Sequence, residues 1–173
     1  DKGVHTALEA VGELMQEQDL RDIKVVIAGD GDATYAARLH ELVKNLGITA
    51  VVKFMGSVAK EKLPHVYAQA DILLFPSIWE EPFGRTLVEG MASGLAIIST
   101  RTGGAGEIVK DGHNALVFEA GNAIELARAI ESLRRSPQLR QRLALKAQET
   151  ALEQFALPRM VDEIESYLTS LES

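Results

Sequence analysis

The chain has 173 residues, 46% of them hydrophobic and 25% charged, with 18 basic against 25 acidic side chains and a net charge of -7. These proportions suit a single soluble domain, residues 1–173, with a sizeable core; the acidic balance argues against a partner such as nucleic acid, which needs a basic surface. With no cysteine, disulfides, thiolate nucleophiles and thiolate metal ligands are excluded, and no apolar run reaches the roughly 20 residues that cross a bilayer.

Asp1-Lys2-Gly3 leads straight into an amphipathic helix with Val4, Ala7, Leu8, Val11, Leu14 and Met15 on one face. Parallel α/β units usually begin with a strand, so one strand is expected ahead of this helix, in a longer protein. Ile23 to Ala28 predicts a buried strand, which Gly29-Asp-Gly-Asp-Ala-Thr34 turns into a helix carrying Leu39, Leu42, Val43 and Leu46. Gly29-x-Gly31 starts like a dinucleotide fingerprint, but Thr34 holds the third glycine position and no acidic residue ends the next strand near Met55, which argues against a nicotinamide site. Asp32 is placed to cap the helix and Asp30 to serve the turn.

Ala50 to Met55 predicts the next strand, followed by Gly56-Ser57-Val58 and a helix from about Lys60 to Gln69. Asp71-Ile-Leu-Leu-Phe75 and Leu95-Ala-Ile-Ile98 are two further strands, and between them lies Pro76 to Gly94, a loop and then a helix from Arg85 with Leu87, Val88, Met91 and Ala92 on one face. Strand, loop, helix, strand is the crossover of a parallel sheet. The free N–H groups of Phe83, Gly84, Arg85 and Thr86 collect at that helix start, an anion site in outline. Glu81 and Glu89 frame it. Neither carboxylate suits an anion, but both suit hydroxyl donors, so a ligand with phosphates and sugar hydroxyls satisfies the whole set.

Ser99 to Glu107 is another strand-to-helix turn, in which Gly103, Gly104 and Gly106 allow positive φ or close packing. Asn114 to Phe118 is a short last strand, the fifth. From Gly121 the chain is helical: Ala123 to Arg135, then Gln138 to about Gln154 after Pro137, then a helix from Pro158 with Met160, Val161, Ile164, Tyr167, Leu168 and Leu171 in an apolar stripe. That stripe lies against its own domain or against a second copy.

Glu81-Pro-Phe-Gly-Arg-Thr-Leu-Val-Glu89 resembles the E-x7-E element of the retaining GT-B glycosyltransferases of the GT4 family, glycosyl transferases group 1. The likeness continues through Ala92 to Thr100, Gly103-Gly104, Glu107-Ile108-Val109, Asp111-Gly112 and Leu116-Val117, and more weakly to both ends. It implies the donor-binding, C-terminal half of a GT-B fold: a Rossmann-like parallel sheet with helices on both faces and a helical tail, its first strand missing. The partners implied are a nucleoside diphosphate sugar and an N-terminal acceptor domain, through which peripheral membrane contact is possible. A cytoplasmic location is expected.

The resemblance also implies roles. Lys2 would contact the donor diphosphate, unless it is a solvated terminal charge. Gly29 and Gly31 would lie near the donor pocket, and Val58 would touch the nucleotide base, unless it plugs a loop. Glu81 would bind sugar hydroxyls beside the reacting carbon and Glu89 the ribose, with the diphosphate on the amides of Gly84 to Thr86 and no metal or other cofactor. The competing readings are a Glu89–Arg85 surface pair, a solvated Glu81, and Phe83 as packing. Trp79 is read as a loop anchor and Glu80 as a solvated charge. In the family, proline precedes the glutamate where this chain has Gly106, which implies a looser turn.

Sugar transfer with retention, by a hexosyltransferase, is the activity implied for the full-length protein; the chain by itself would bind donor weakly and transfer nothing. The alternatives are a non-catalytic nucleotide-sugar-binding module and a metal-dependent transferase using Asp30 and Asp32. His5, His40, His65 and His113 lack ligand spacing, so a metal site is not expected.

Overall fold

The computed structural model describes residues 2–17 and 22–171. Asp1 lies outside them, as does the side chain of Leu171. In chain order the elements are α1 (Val4–Glu17), β1 (Val25–Ala28), α2 (Ala33–Asn45), β2 (Val52–Gly56), a 3-10 turn at Lys60–Lys62, α3 (Leu63–Tyr67), β3 (Ile72–Phe75), α4 (Arg85–Ala92), β4 (Ala96–Ser99), α5 (Ala105–Ile108), β5 (Leu116–Val117), α6 (Ala123–Arg135), α7 (Pro137–Gln154) and α8 (Leu157–Leu171). Each expected strand is present and every described pairing between them is parallel.

Strand β4, central in the order β3-β4-β5, is buried along its whole length. Its alternating side chains feed two cores. Ala96 and Ile98 pack with Ala7, Ala10 and Leu14 of α1 and Leu126, Ile130 and Leu133 of α6. Ile97 packs on the other face with Leu87 and Met91 of α4, Ile108 of α5 and Ala147 of α7. A third core joins Leu8 and Val11 of α1 to Leu39 and Val43 of α2, with Val25, Ile27, Val52 and Phe54 against it. Helix α1 thus presents one stripe to each of two cores, which binds the β1-β2 unit to the rest.

Parallel strands with helices packed on both faces are the architecture that was expected. The strands form two sheets, β1-β2 and β3-β4-β5. One edge of β1 and one edge of β3 have no strand partner among the described residues, and both line an apolar cleft of about 490 Å³ walled by Val4, Ala7 and Val11 of α1 and Val66 of α3. Unpaired parallel edges facing a common apolar cleft are the geometry of a sheet interrupted by one strand, in agreement with the expectation of one strand more than the five present.

Helix ends follow the chain's punctuation. Asp32 caps α2 by accepting from the Tyr35 N–H at 3.0 Å, as expected, and Ser136 caps α7 ahead of Pro137. For the last helix the structure excludes one of the two alternatives. In α8, Met160, Ile164, Tyr167 and Leu168 are all more than half exposed, so its apolar stripe does not lie against its own domain.

These burials separate two substitutions. Leu143→Ala, at a fully buried site, should cost about 2–5 kcal/mol in denaturant unfolding, whereas Leu168→Ala should stay within about 0.5 kcal/mol of the parent.

Candidate functional site

The loops after β1, β3 and β4 leave the carboxyl ends of parallel strands, where open α/β sheets place their ligands. The loop after β3 is held from two sides. The Ser77 carbonyl accepts from Thr100 Oγ1 at 2.8 Å and from Thr102 Oγ1 at 3.1 Å, and the Gly104 N–H donates to the Glu81 carbonyl at 2.7 Å. That approach excludes side chains: a Cβ on Gly103 would sit 2.3 Å from the Glu81 carbonyl oxygen, and one on Gly104 would sit 2.6 Å from that of Pro82. Gly106 does not loosen the turn as expected. It lies within α5, and a Cβ there would come 2.8 Å from the Arg101 carbonyl oxygen.

Glu81 is buried, 7% exposed. Its Oε1 accepts from Lys2 Nζ and from Ser77 Oγ, the latter at 3.2 Å. The structure therefore brings together two predicted site residues from opposite ends of the first half of the chain, paired with each other. Gly3 makes this possible: it adopts φ 67, and a Cβ there would overlap the Pro76 carbonyl oxygen at 1.8 Å.

Gly84 sits at φ 78 as the residue before α4, with no side-chain cap on the helix and no acidic residue in its first turn. The N–H groups of Leu87 and Val88 both bond the Gly84 carbonyl. Among the described residues the N–H groups of Arg85 and Thr86 meet no acceptor, so the positive end of α4 is open. One turn on, Glu89 Oε2 accepts from the Tyr67 hydroxyl at 3.0 Å, while Oε1 lies 3.4 Å from Arg85 Nε. The Arg85 side chain is 80% exposed, which makes that pair weak. Burial, and then the bond to Glu89 and its charge, push the Tyr67 hydroxyl up to about 12 from 10.0, with Arg85 pulling slightly the other way.

The 490 Å³ cleft ends here, lined by Gly29, Val58, Arg85, Thr86, Glu89 and Tyr67. Five of the sequence-predicted site residues thus share one cavity. Lys2, Glu81, Phe83 and Gly84 do not line it, and a Cβ on Gly31 would meet nothing within 4 Å. Phe83 is half exposed and packs edge-on against Phe155, ring centroids 5.5 Å apart. Trp79 is 54% exposed and is no loop anchor; its backbone, held by Ser77 Oγ at 3.2 and 3.4 Å, is what is fixed. Asp30 is exposed. Among the described residues no three His, Asp or Glu side chains converge as a metal site would require, and no helix is long and apolar enough to cross a membrane. Sequence reasoning missed Ser77 and Tyr67, the two hydroxyls that hold the carboxylates.

Residues 1–150 match the family model described as glycosyl transferases group 1. The chain belongs to this family. It is 33% identical over 172 residues to the lipopolysaccharide core biosynthesis glycosyltransferase LpsE of Rhizobium meliloti, covering 99% of this chain and 46% of that protein. Anabaena Alr3699/HepE, solved with UDP and with UDP-glucose, superposes with TM-scores of 0.90 and 0.88 at 30% identity, over 98% of this chain and 45% of that one. The C-terminal domain of a group 1 glycosyl transferase, LpcC from Francisella tularensis, superposes with a TM-score of 0.82 at 26% identity, over 90% of this chain and 80% of that one. The chain thus spans under half the length of LpsE and HepE, and it has the architecture of the C-terminal half of GT-B glycosyltransferases, as the group 1 resemblance implied.

Two measurements check this geometry. Gly103→Ala should destabilise by clearly more than Gly121→Ala: both lie at positive φ, but only Gly103 has backbone in its way, so about 1–2 kcal/mol is expected for strain alone and more at Gly103. The phenol of Tyr67 is raised, so its contribution to stability is complete below pH 10 and lost as pH rises toward 12. Tyr67→Phe should remove that component of the alkaline loss in pH-dependent unfolding.

Proposed function

We propose that this group 1 domain binds the nucleoside diphosphate half of an activated sugar and serves the donor side of a retaining, metal-independent hexosyltransferase. The observation that carries this reading is the open amino end of α4, where the N–H groups of Arg85 and Thr86 meet no acceptor among the described residues, set between the carboxylates of Glu81 and Glu89 at the carboxyl ends of parallel strands. Anion donors flanked by two acceptors of hydroxyl protons match a diphosphate with a sugar on either side. The UDP and UDP-glucose complexes of HepE support the same ligand class.

In this reading the diphosphate takes the Arg85 and Thr86 amides together with Lys2, whose ammonium turns from Glu81 toward the phosphates. Glu81 then accepts from the hydroxyls of the transferred sugar, held in place by Ser77. Glu89 accepts from the ribose hydroxyls, and Val58 and Gly29 line the space for the base. When the bond between the anomeric carbon and the diphosphate oxygen breaks, its electron pair stays on that oxygen, where the helix end and the ammonium meet the growing charge. No metal is needed for that neutralisation. The acceptor hydroxyl then bonds the anomeric carbon on the face the diphosphate left, and its proton passes to the departing phosphate. In this reading the acceptor is bound by a further part of the longer protein.

Calorimetry with UDP, GDP, ADP and UDP-glucose tests the assignment. One of the diphosphates should bind, in EDTA as well as without it, and Glu89→Ala should weaken it at least about tenfold. Glu81→Ala should leave UDP affinity within about twofold and remove whatever UDP-glucose gains over UDP. Absence of binding by all four ligands at millimolar concentration, or binding lost in EDTA, would refute the proposal.

A further inference from the structure

Glu89 can bind two vicinal ribose hydroxyls only if its carboxylate faces the cleft, and the structure shows two groups competing to orient it. Arg85 lies one turn before it on the same helix, 3.4 Å from Oε1, with a solvent-exposed side chain. Tyr67 approaches from α3, a different element, and its hydroxyl donates to Oε2 at 3.0 Å. The phenol ring is packed against the core that contains Leu87, Met91 and Ile97, so it cannot swing away as Arg85 can. Tyr67 and Glu89 both line the 490 Å³ cleft.

We propose that Tyr67 is a positioning residue for the donor: its core-anchored hydroxyl pins one oxygen of Glu89 and leaves the other turned to the cleft, ready for a ribose. This rests on the reading of Glu89 as the ribose ligand. A carboxylate oxygen has two lone pairs, so Oε2 keeps one free beside the phenol, and Oε1, whose contact with the exposed Arg85 side chain is weak, is free to accept as well. The Tyr67 hydroxyl, its pKa pushed up to about 12, stays protonated and remains the donor throughout the physiological range. Fixing the carboxylate before the ligand arrives removes an ordering cost from binding. Without the phenol, the remaining partner is Arg85, which draws the carboxylate along the helix surface.

The test compares the tightest-binding of UDP, GDP and ADP with its 2′,3′-dideoxy form, using parent, Tyr67→Phe, Glu89→Ala and the double variant. Tyr67→Phe removes one oxygen atom and should weaken the ribose form about 3- to 30-fold. It should leave the dideoxy form within about twofold, and it should cost nothing further in the Glu89→Ala background. Equal losses for both forms would assign Tyr67 a general structural role and overturn the proposal. No loss in Tyr67→Phe alongside a clear loss in Glu89→Ala would also overturn it, while leaving the ribose role of Glu89 standing. No loss in Glu89→Ala would remove the ribose role itself, and this inference with it.

Discussion

Everything at the candidate site depends on one backbone contact, the 2.7 Å hydrogen bond from the Gly104 N–H to the Glu81 carbonyl. The turn after β4 can come this close to the loop after β3 only because Gly103 and Gly104 have no Cβ. The contact sets the height of Glu81 above the sheet and thereby the direction in which the chain enters α4. From below, Thr100 and Thr102 hold the Ser77 carbonyl, and Ser77 in turn holds the Glu81 side chain. A buried carboxylate without such partners would be costly. Here the partners are the Ser77 hydroxyl and the ammonium of Lys2, which comes from the other end of this half of the chain.

This arrangement gives the two acidic residues different characters. Glu81 is enclosed and pinned by Ser77, four residues before it, and by Lys2 from the start of the chain, while Glu89 is partly open and held by one tyrosine and one exposed arginine. Between them the first N–H groups of α4 face no acceptor among the described residues, so the local positive field is not spent on a capping side chain. In a chain of net charge -7, such local donors are the means by which an anion can be held at all.

Much of this was legible in the sequence where the signal is local. The apolar runs at Ile72 to Phe75 and Ala96 to Ser99, the loop marked by Pro82 and Gly84 and the helix beginning at Arg85 are set by neighbours a few residues away. Asp32 and Pro137 marked helix starts correctly for the same reason. What escaped is the pairing of side chains. The Tyr67 hydroxyl meets Glu89 across 22 residues, and no spacing rule pairs a tyrosine on one element with a glutamate on the next. Trp79 is read from the sequence as a loop anchor, but it is Ser77 that fixes its backbone, and the indole is half exposed. The division of the strands into two sheets was hidden as well, because each strand's pattern reports which face is buried and says nothing about which edge is paired. The stripe on α8 was correctly read as amphipathic; what it faces is a question of tertiary contacts.

The central claim is that the amino end of α4 receives a diphosphate. It is tested most directly by following the backbone amide resonances of Gly84, Arg85 and Thr86 by NMR during titration with UDP and, separately, with uridine. The account predicts that UDP moves the Arg85 and Thr86 amide protons downfield as they gain an acceptor, and that uridine leaves them in place. Saturable UDP binding that shifts resonances elsewhere and leaves these amides unmoved would contradict it.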